Sequence, residues 1–369
     1  MKGLILSGGA GTRLRPITHT SAKQLVPIAN KPILFYGIED LAAAGIRDIA
    51  IIVGDTRDEI IAAVGDGSRF GVHVTYIPQE APLGLAHCVL IAADFLGDDD
   101  FVMYLGDNML EQGLTEFVEK FEADRARSSQ TLQLADAHRP PVAQILLAHV
   151  PNPMSFGVAQ IDDNGEVVKL VEKPEFPPSD LALVGVYLFD KTINLAVRSI
   201  EPSPRGELEI TDAIQWLIDE GYRVRHEVLV GWWIDTGKKD PLLECNRLVL
   251  DTLTPKNEGI VDETSVVEGR VVIEPGATLV NSRVRGPAVI GAGTRLVNSY
   301  VGPYSSIAAG CEIIDSELDH SVVLERSRLI GIARITDSLV GRDVEVTHSE
   351  SRPRAMRLML GDHSRIELE

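Results

Sequence analysis

From about residue 255 to 345 the helical spacing of apolar residues disappears and a coil-like period replaces it. Short β-branched runs recur with Gly, Asn and Ser between them. Val280-Asn-Ser282, Val297-Asn-Ser299, Ile314-Asp-Ser316, Glu325-Arg-Ser327 and Thr336-Asp-Ser338 place serines 17, 17, 11 and 11 residues apart. Ile273-Glu-Pro-Gly, Ile290-Gly-Ala-Gly, Val301-Gly-Pro-Tyr and Val340-Gly-Arg-Asp stand between them. An apolar residue every five or six positions, followed by small turn residues, fits a parallel β-helix whose coils stack on one another. The 11-residue steps argue for unequal coils, and an irregular β-sandwich is the alternative. The tail, with Arg352, Arg354, Arg357 and Met356 to Leu360, is expected to cap the last coil or form an interface.

Residues 1 to about 240 read differently. Leu4–Leu6, Ile49–Val53, Val72–Ile77 and Phe101–Leu105 are short apolar strand-like runs. Between them Ile33 to Gly45, Asp58 to Val64 and Leu85 to Phe95 have helical spacing, two of them closed by glycine. Strands alternating with helices predict an α/β fold, a Rossmann-like, mainly parallel sheet with helices on both faces. With the repeat, this gives two expected domains: 1–245, and 246–369 as a left-handed parallel β-helix plus tail. Ligands of such a sheet sit beyond the carboxyl ends of its strands.

One such end is the run Ser7-Gly8-Gly9-Ala10-Gly11-Thr12-Arg13, directly after Leu4–Leu6. Its glycines let backbone N–H groups approach an anion, and Arg13 and Lys23 add positive charge. No Gly-Lys-Ser/Thr closes it, so it is not a P-loop, and Leu14 occupies the third glycine of a dinucleotide fingerprint. Alone it could be an ordinary tight turn. Two more strand ends carry aspartates: Gly106-Asp107-Asn108 and Trp233-Ile-Asp235-Thr-Gly237. Each aspartate alone is as readily a turn residue. Together with a phosphate-binding loop they suit Mg²⁺, which takes one or two carboxylates plus phosphate oxygens and water. Glu172-Lys173-Pro174 ends a further strand, where the lysine can hold a phosphate and the glutamate can accept sugar hydroxyls. Arg205 precedes Gly206-Glu-Leu-Glu-Ile-Thr-Asp212 and can reach an anion.

The chain carries a net charge of −19, which disfavours nucleic acid and anionic membranes as partners. No apolar stretch approaches the roughly 20 residues of a membrane span, and no signal peptide is visible. Cys88, Cys245 and Cys311 are far apart and read as reduced thiols in a cytoplasmic protein. Neither a Ser-His-Asp nor a Cys-His arrangement is recognisable, so a protein nucleophile is not indicated.

These motifs together resemble the sugar-1-phosphate nucleotidylyltransferases over residues 1 to about 250. Leu6-Ser-Gly-Gly-Ala-Gly-Thr-Arg-Leu-Arg-Pro16 resembles that family's signature loop, and Lys23-Gln-Leu-Val-Pro-Ile-Ala-Asn-Lys-Pro32 its lysine segment. Gln79-Glu-Ala-Pro-Leu-Gly84 resembles its base-recognition segment. Leu105-Gly-Asp-Asn108, Glu172-Lys-Pro174, Gly206–Asp212 and Trp233–Gly237 follow in the family's order. The β-helix marks the long form. Ser7 departs from the alanine usual in short forms, and the short forms' allosteric site depends on helical elements that the β-helix replaces here.

The resemblance implies nucleotidyl transfer from dTTP to glucose 1-phosphate with Mg²⁺, in a homo-oligomer. It implies that Arg13 and Lys23 grip the triphosphate while Gly8, Gly11, Gln79 and Gly84 line the base and phosphate pocket. Asp107 and Asp235 would hold the metal, with Asn108 beside Asp107. Glu172, Lys173, Gly157 and Tyr187 would hold the sugar and its phosphate, with Arg205 and Trp233 as neighbours. Arg13, Lys23, Lys173 and Asp107 are the expected catalytic groups. UTP, ATP or another sugar phosphate remain open as substrates. An acyl-transferring β-helix is a further alternative, but His320 and His348 stand on it without a recognisable partner. A silent binding protein is a last alternative, and the intact Arg13, Lys23, Asp107, Lys173 and Asp235 argue against it.

Overall fold

The computed structural model describes residues 1–9, 11–19, 21–130, 140–348 and 358–367, with the side chains of 128–130 excepted. The part of the tail carrying Arg352, Arg354, Met356 and Arg357 lies outside the described residues, as does Ala10 of the glycine loop. The chain forms two compact units, Met1–Ala10 with Leu34–Trp233, and Gly11–Ile33 with Ile234–Glu369.

The first unit is built on nine strands: β1 (Lys2–Ser7), β2 (Asp48–Val53), β3 (His73–Pro78), β4 (Phe101–Leu105), β5 (Ala143–His149), β6 (Gly157–Ile161), β7 (Val167–Glu172), β8 (Leu181–Phe189) and β9 (Val224–Val228). The sheet order is β7-β6-β8-β4-β1-β2-β3, with β5 beside β8 and β9 beside β5. The first four strands pair in parallel, with Leu4 opposite both Ala50 and Met103. β8 then runs antiparallel to β4, β5 and β6. The expected mainly parallel sheet therefore describes the N-terminal half, and the second half is largely antiparallel. Strands buried on both faces read as continuous apolar runs, which is why β1, β2 and β4 were legible.

Helices cover both faces. Leu4, Leu6, Ala50, Ile52, Phe101 and Met103 pack with helices α3 (Leu85–Ile91), α6 (Ile193–Ser199) and α7 (Ile210–Asp219) through Ala86, Val89, Val197, Ile214 and Leu217. On the opposite face Gly3 lies against Leu41, and Tyr104 against Gly37, both of helix α1 (Ile33–Ala43). Each large apolar side chain buried this way contributes about 1.5–3 kcal/mol. No helix among the described residues is long and apolar enough to cross a membrane.

In the second unit, three stacks of short parallel strands form a left-handed parallel β-helix. One stack runs from Lys256–Asn257 to Leu339–Val340, one from Ile260–Val261 to Glu345–Thr347, and one from Val266–Glu268 to Glu317–Leu318. All its pairings are parallel, so the sandwich alternative falls. The coils send apolar residues inward from all three stacks. Leu279, Leu296, Ile313 and Leu329 make one buried column, and Ile273, Ile290, Ile307 and Val323 another.

The repeat is mostly 17 residues, with steps of 16 from Lys256 to Val272 and from Ser306 to Val322 and of 18 from Ile260 to Thr278. Ser282, Ser299 and Ser316 form a true ladder, each hydroxyl accepting the N–H of the next coil. Ser327 and Ser338 belong to other corners, paired 17 residues from Val344 and Ser321. The 11-residue spacings thus count across corners, and the coils are close to uniform. In the described part of the tail, Leu358, Met359 and Leu360 are exposed, so these apolar residues do not cap the last coil.

The second unit also contains helix α8 (Lys239–Leu250) and residues 11–33. This division differs from one drawn at 245/246.

Candidate active site

In the first unit, functional side chains gather where the parallel strands end. Gly106 N–H donates to the Leu6 carbonyl, which sets the exits of β1 and β4 side by side. A Cβ on Gly8 would stand 3.1 Å from Gln79 Oε1, so the glycine lets the amide lie close to the backbone after β1. Gln79 Nε2 lies 3.1 Å from His87 Nδ1 and 3.4 Å from the Gly84 carbonyl. Gly84 has φ 101°, and a Cβ there would meet the Leu208 carbonyl at 2.4 Å. Backbone bonds from Leu208 N to Leu83 O and from Ala86 N to Leu208 O seal that approach. The base-recognition segment is thereby stitched to Gly206–Asp212.

Asp107 follows β4. Its Oδ1 accepts from Asn108 Nδ2 at 2.9 Å. Asn108 is buried and its Oδ1 accepts from Trp233 Nε1 at 2.6 Å. Gly185 of β8 makes room, since a Cβ there would press on Asn108 Oδ1 at 2.7 Å. Trp233 packs edge-on against Phe156.

A third group surrounds Glu172. Its Oε1 lies 3.3 Å from both Arg205 Nη2 and Lys173 Nζ, and its Oε2 accepts from Thr211 Oγ1 at 3.3 Å. Lys173 takes a left-handed backbone, φ 42°, and its N–H donates to Phe156 O. This kink after the strand turns the half-exposed ammonium outward. Gly157 faces Glu172 Oε2 and Thr211 so closely that a Cβ would stand 2.5 Å from the Thr211 methyl. Arg205 is held by buried Glu209, Nη2 to Oε1 at 2.7 Å, and Ser203 Oγ donates to the same oxygen. Burial, reinforced by Glu209 and Glu172, raises the pKa of Asp212. Tyr187 differs from the others. It is buried in the core, stacked on Phe189, and burial pushes its hydroxyl pKa upward, with Glu172 adding to the shift.

The second unit holds Arg13 and Lys23. Gly11 has φ 60°, and a Cβ there would touch Lys23 Cβ at 3.0 Å. Thr18 Oγ1 donates to the Gly11 carbonyl at 2.6 Å. Asp235 faces both cations: Oδ2 lies 3.5 Å from Arg13 Nη2 and Oδ1 3.7 Å from Lys23 Nζ. Gly237 sits among them. Its N–H donates to Asp235 Oδ1, and a Cβ there would come within 2.8 Å of all three charged groups. Lys23 is nearly buried and Arg13 half exposed. Two cations thus stand beside one aspartate.

Asp107 and Asp235 offer hard carboxylate oxygens, the donor type of Mg²⁺ rather than of a thiolate- or imidazole-bound metal. Among the described residues no group of three or more His, Cys, Asp or Glu could hold a metal ion alone. Each carboxylate by itself suits an ion whose shell is completed by substrate phosphate and water.

Sequence reasoning did not single out Ser203, Glu209, Thr211, Gly185 or Gly237. Glu209 and Thr211 stand in a recognised motif, but their partners lie on other elements. His320 requires a correction. It does have a partner, Asp337, with Nδ1 and Oδ1 2.5 Å apart. Tyr304, His320 and Asp337 all take the left-handed turn conformation, as do Asn281, Asn298 and Asp315 on another corner. The latter three are linked coil to coil by side-chain hydrogen bonds in the same manner. The histidine pair is therefore a corner ladder of the coil.

The Nucleotidyl transferase family profile matches residues 2–252. The chain belongs to the nucleotidyl transferase family. It is 58% identical to a glucose-1-phosphate thymidylyltransferase of Streptomyces griseus over 368 residues, spanning 100% of this chain and 99% of the relative. It is 55% identical to one of Streptomyces antibioticus over 369 residues, the whole of both chains. Among solved structures, a putative glucose-1-phosphate thymidylyltransferase of Bacillus anthracis, in complex with a sucrose, matches with a TM-score of 0.61 and 34% identity. That match covers 69% of this chain and 98% of the other.

Proposed function

We propose that the protein transfers a thymidylyl group from dTTP to glucose 1-phosphate, giving dTDP-glucose and pyrophosphate. The observation that carries this reading is the full-length likeness to two thymidylyltransferases, β-helix included. Arg13, Lys23, Asp107, Lys173 and Asp235 offer charges of the kind such a reaction uses. A phosphate oxygen of the sugar phosphate attacks the α-phosphorus in line, a new P–O bond forms, and the bond to the bridging oxygen of pyrophosphate breaks. Such a reaction needs positioning and charge neutralisation, and no covalent enzyme intermediate.

Arg13 and Lys23 grip the triphosphate, and Arg13 stabilises the departing pyrophosphate. Gln79 reads the base edge, and Gly8, Gly11 and Gly84 allow close backbone approach to base and phosphates. Glu172 accepts sugar hydroxyls, Lys173 holds the sugar phosphate, and Arg205 adds positive charge. Gly157 leaves room beside Glu172, Tyr187 packs behind it, and Trp233 fixes Asn108. Asp107 and Asp235 would hold Mg²⁺, which would draw negative charge off the phosphate oxygens. The buried free thiols Cys88, Cys245 and Cys311 agree with a reducing, cytoplasmic setting.

A thymine methyl group is worth only about 1–3 kcal/mol in an apolar pocket, so UTP is the competitor to test. The experiment is a pyrophosphate-release panel of five nucleoside triphosphates against several sugar 1-phosphates. dTTP with glucose 1-phosphate is expected to give the highest kcat/KM. A higher value for another pair would overturn the substrate assignment, and no release with any pair would overturn the reaction.

A further inference from the structure

The triphosphate segment is built into the same unit as the β-helix, and two grips hold it there. At one end, Arg342 Nη1 donates to Ser21 Oγ at 2.6 Å while its Nε donates to Glu325 Oε2 of the preceding coil. Ile17 lies against Gly341 beside this contact. At the other end, residues 27–32 form a small hairpin, Ile28 opposite Lys31, whose two turn residues both have positive φ, 47° at Ala29 and 63° at Asn30. An alanine does not adopt that conformation unaided. Asn246 of α8 enforces it. Its Oδ1 accepts from Ala29 N–H at 2.9 Å and from Ser306 Oγ at 2.8 Å, and its Nδ2 donates to Tyr304 O at 3.3 Å. Asn30 Nδ2 donates to Ile307 O at 2.8 Å. Asn246 is 1% exposed, so a buried amide joins the partly buried hairpin turn to helix and coil. Between the grips, residues 22–28 are buried throughout, and Lys23 is among them.

We infer that Asn246 and Arg342 are positioning residues: through them the β-helix sets the place of the Lys23 ammonium and so the affinity for the nucleoside triphosphate. The inference rests on the proposed role of Lys23. The Asn246 amide, bonded to three partners on the hairpin and the coil, favours one arrangement, and removing it lets the strained turn relax. A shift of about 1 Å in a group that holds a reacting phosphate suffices for a large loss.

The test measures the dTTP dissociation constant with Mg²⁺, and KM for dTTP and for glucose 1-phosphate. The variants are Asn246→Ala, Arg342→Met, Lys23→Gln and the double variants with Lys23→Gln. Each grip variant is expected to weaken dTTP about tenfold, with KM for glucose 1-phosphate unchanged. In the Lys23→Gln background neither grip substitution should weaken dTTP further. Unchanged dTTP affinity in both folded grip variants would overturn the inference, as would equal shifts in both KM values or full additivity with Lys23→Gln. Should Asn246→Ala fail to fold, the half-exposed Arg342→Met decides alone. If Lys23→Gln itself binds dTTP normally, the reading of Lys23 fails instead, which separates the two outcomes.

Discussion

Asp107 sits where β4 ends, and Asn108 fixes one of its oxygens. Replacing it by Asn keeps nearly the same volume and removes a charge opposite the phosphates. Asp107→Asn is therefore expected to lower kcat by about 10²–10³ with Tm almost unchanged. Near-normal turnover at saturating Mg²⁺ would refute the metal assignment. Asp212 offers a test of a different kind, because burial and then Glu209 and Glu172 raise its pKa. In the unfolded chain it loses its proton near the usual carboxylate range, while in the folded chain it keeps the proton to higher pH. Stability therefore falls as pH rises through that window, and the deficit persists above it. Asp212→Asn should be more stable than the parent at pH 7, with the advantage vanishing below about pH 3. A pH-independent difference in urea unfolding would exclude the linkage. Asp107 drew attention because it stands one glycine beyond an apolar strand, in a motif that resembles the family's, although alone it could equally be a turn residue. Ser203, Glu209 and Thr211 did not, because a hydroxyl or carboxylate reveals nothing of a partner as distant in sequence as Thr211 is from Glu172.

Elements differ in how plainly their period shows. The β-helix announces itself by a 17-residue step because every coil repeats the same inward positions and the same left-handed corners. The serines at 11-residue intervals misled because serine serves several corners, and only the through-coil hydrogen bonds assign each to its ladder. The late antiparallel strands were less legible, since apolar runs do not encode strand direction. Ile313 lies fully buried in the column between Leu296 and Leu329. Cutting it back leaves a cavity that rigid neighbouring coils cannot close. Ile313→Ala should cost about 2–5 kcal/mol in chemical unfolding. A loss under about 1 kcal/mol would mean that the coils relax freely, contrary to a column of paired strands above and below.

At the scale of the whole molecule, chain order conceals the division of labour. The sequence places residues 11–33 inside the N-terminal sheet domain, yet they form one compact unit with α8 and the β-helix. No local pattern predicts this, because the contacts responsible join Asn30 to Ile307 and Ser21 to Arg342, hundreds of residues apart. A chain ending at Leu250 would keep Asn246, Ala29 and Asn30 but lose Ser306, the carbonyls of Tyr304 and Ile307, and Arg342. The side chains of Asn246 and Asn30 would then bond to water, and nothing on the coil would fix their positions. The turn would keep the Asn246 bond to Ala29 but lose the Ser306 and Tyr304 partners that hold the Asn246 amide in place. Such a chain should bind dTTP at least about tenfold more weakly than the full-length protein, and it should exchange the amide hydrogens of residues 22–31 rapidly. Undiminished dTTP affinity with protected amides in that segment would show that the sheet domain shapes its triphosphate loop without help from the coils.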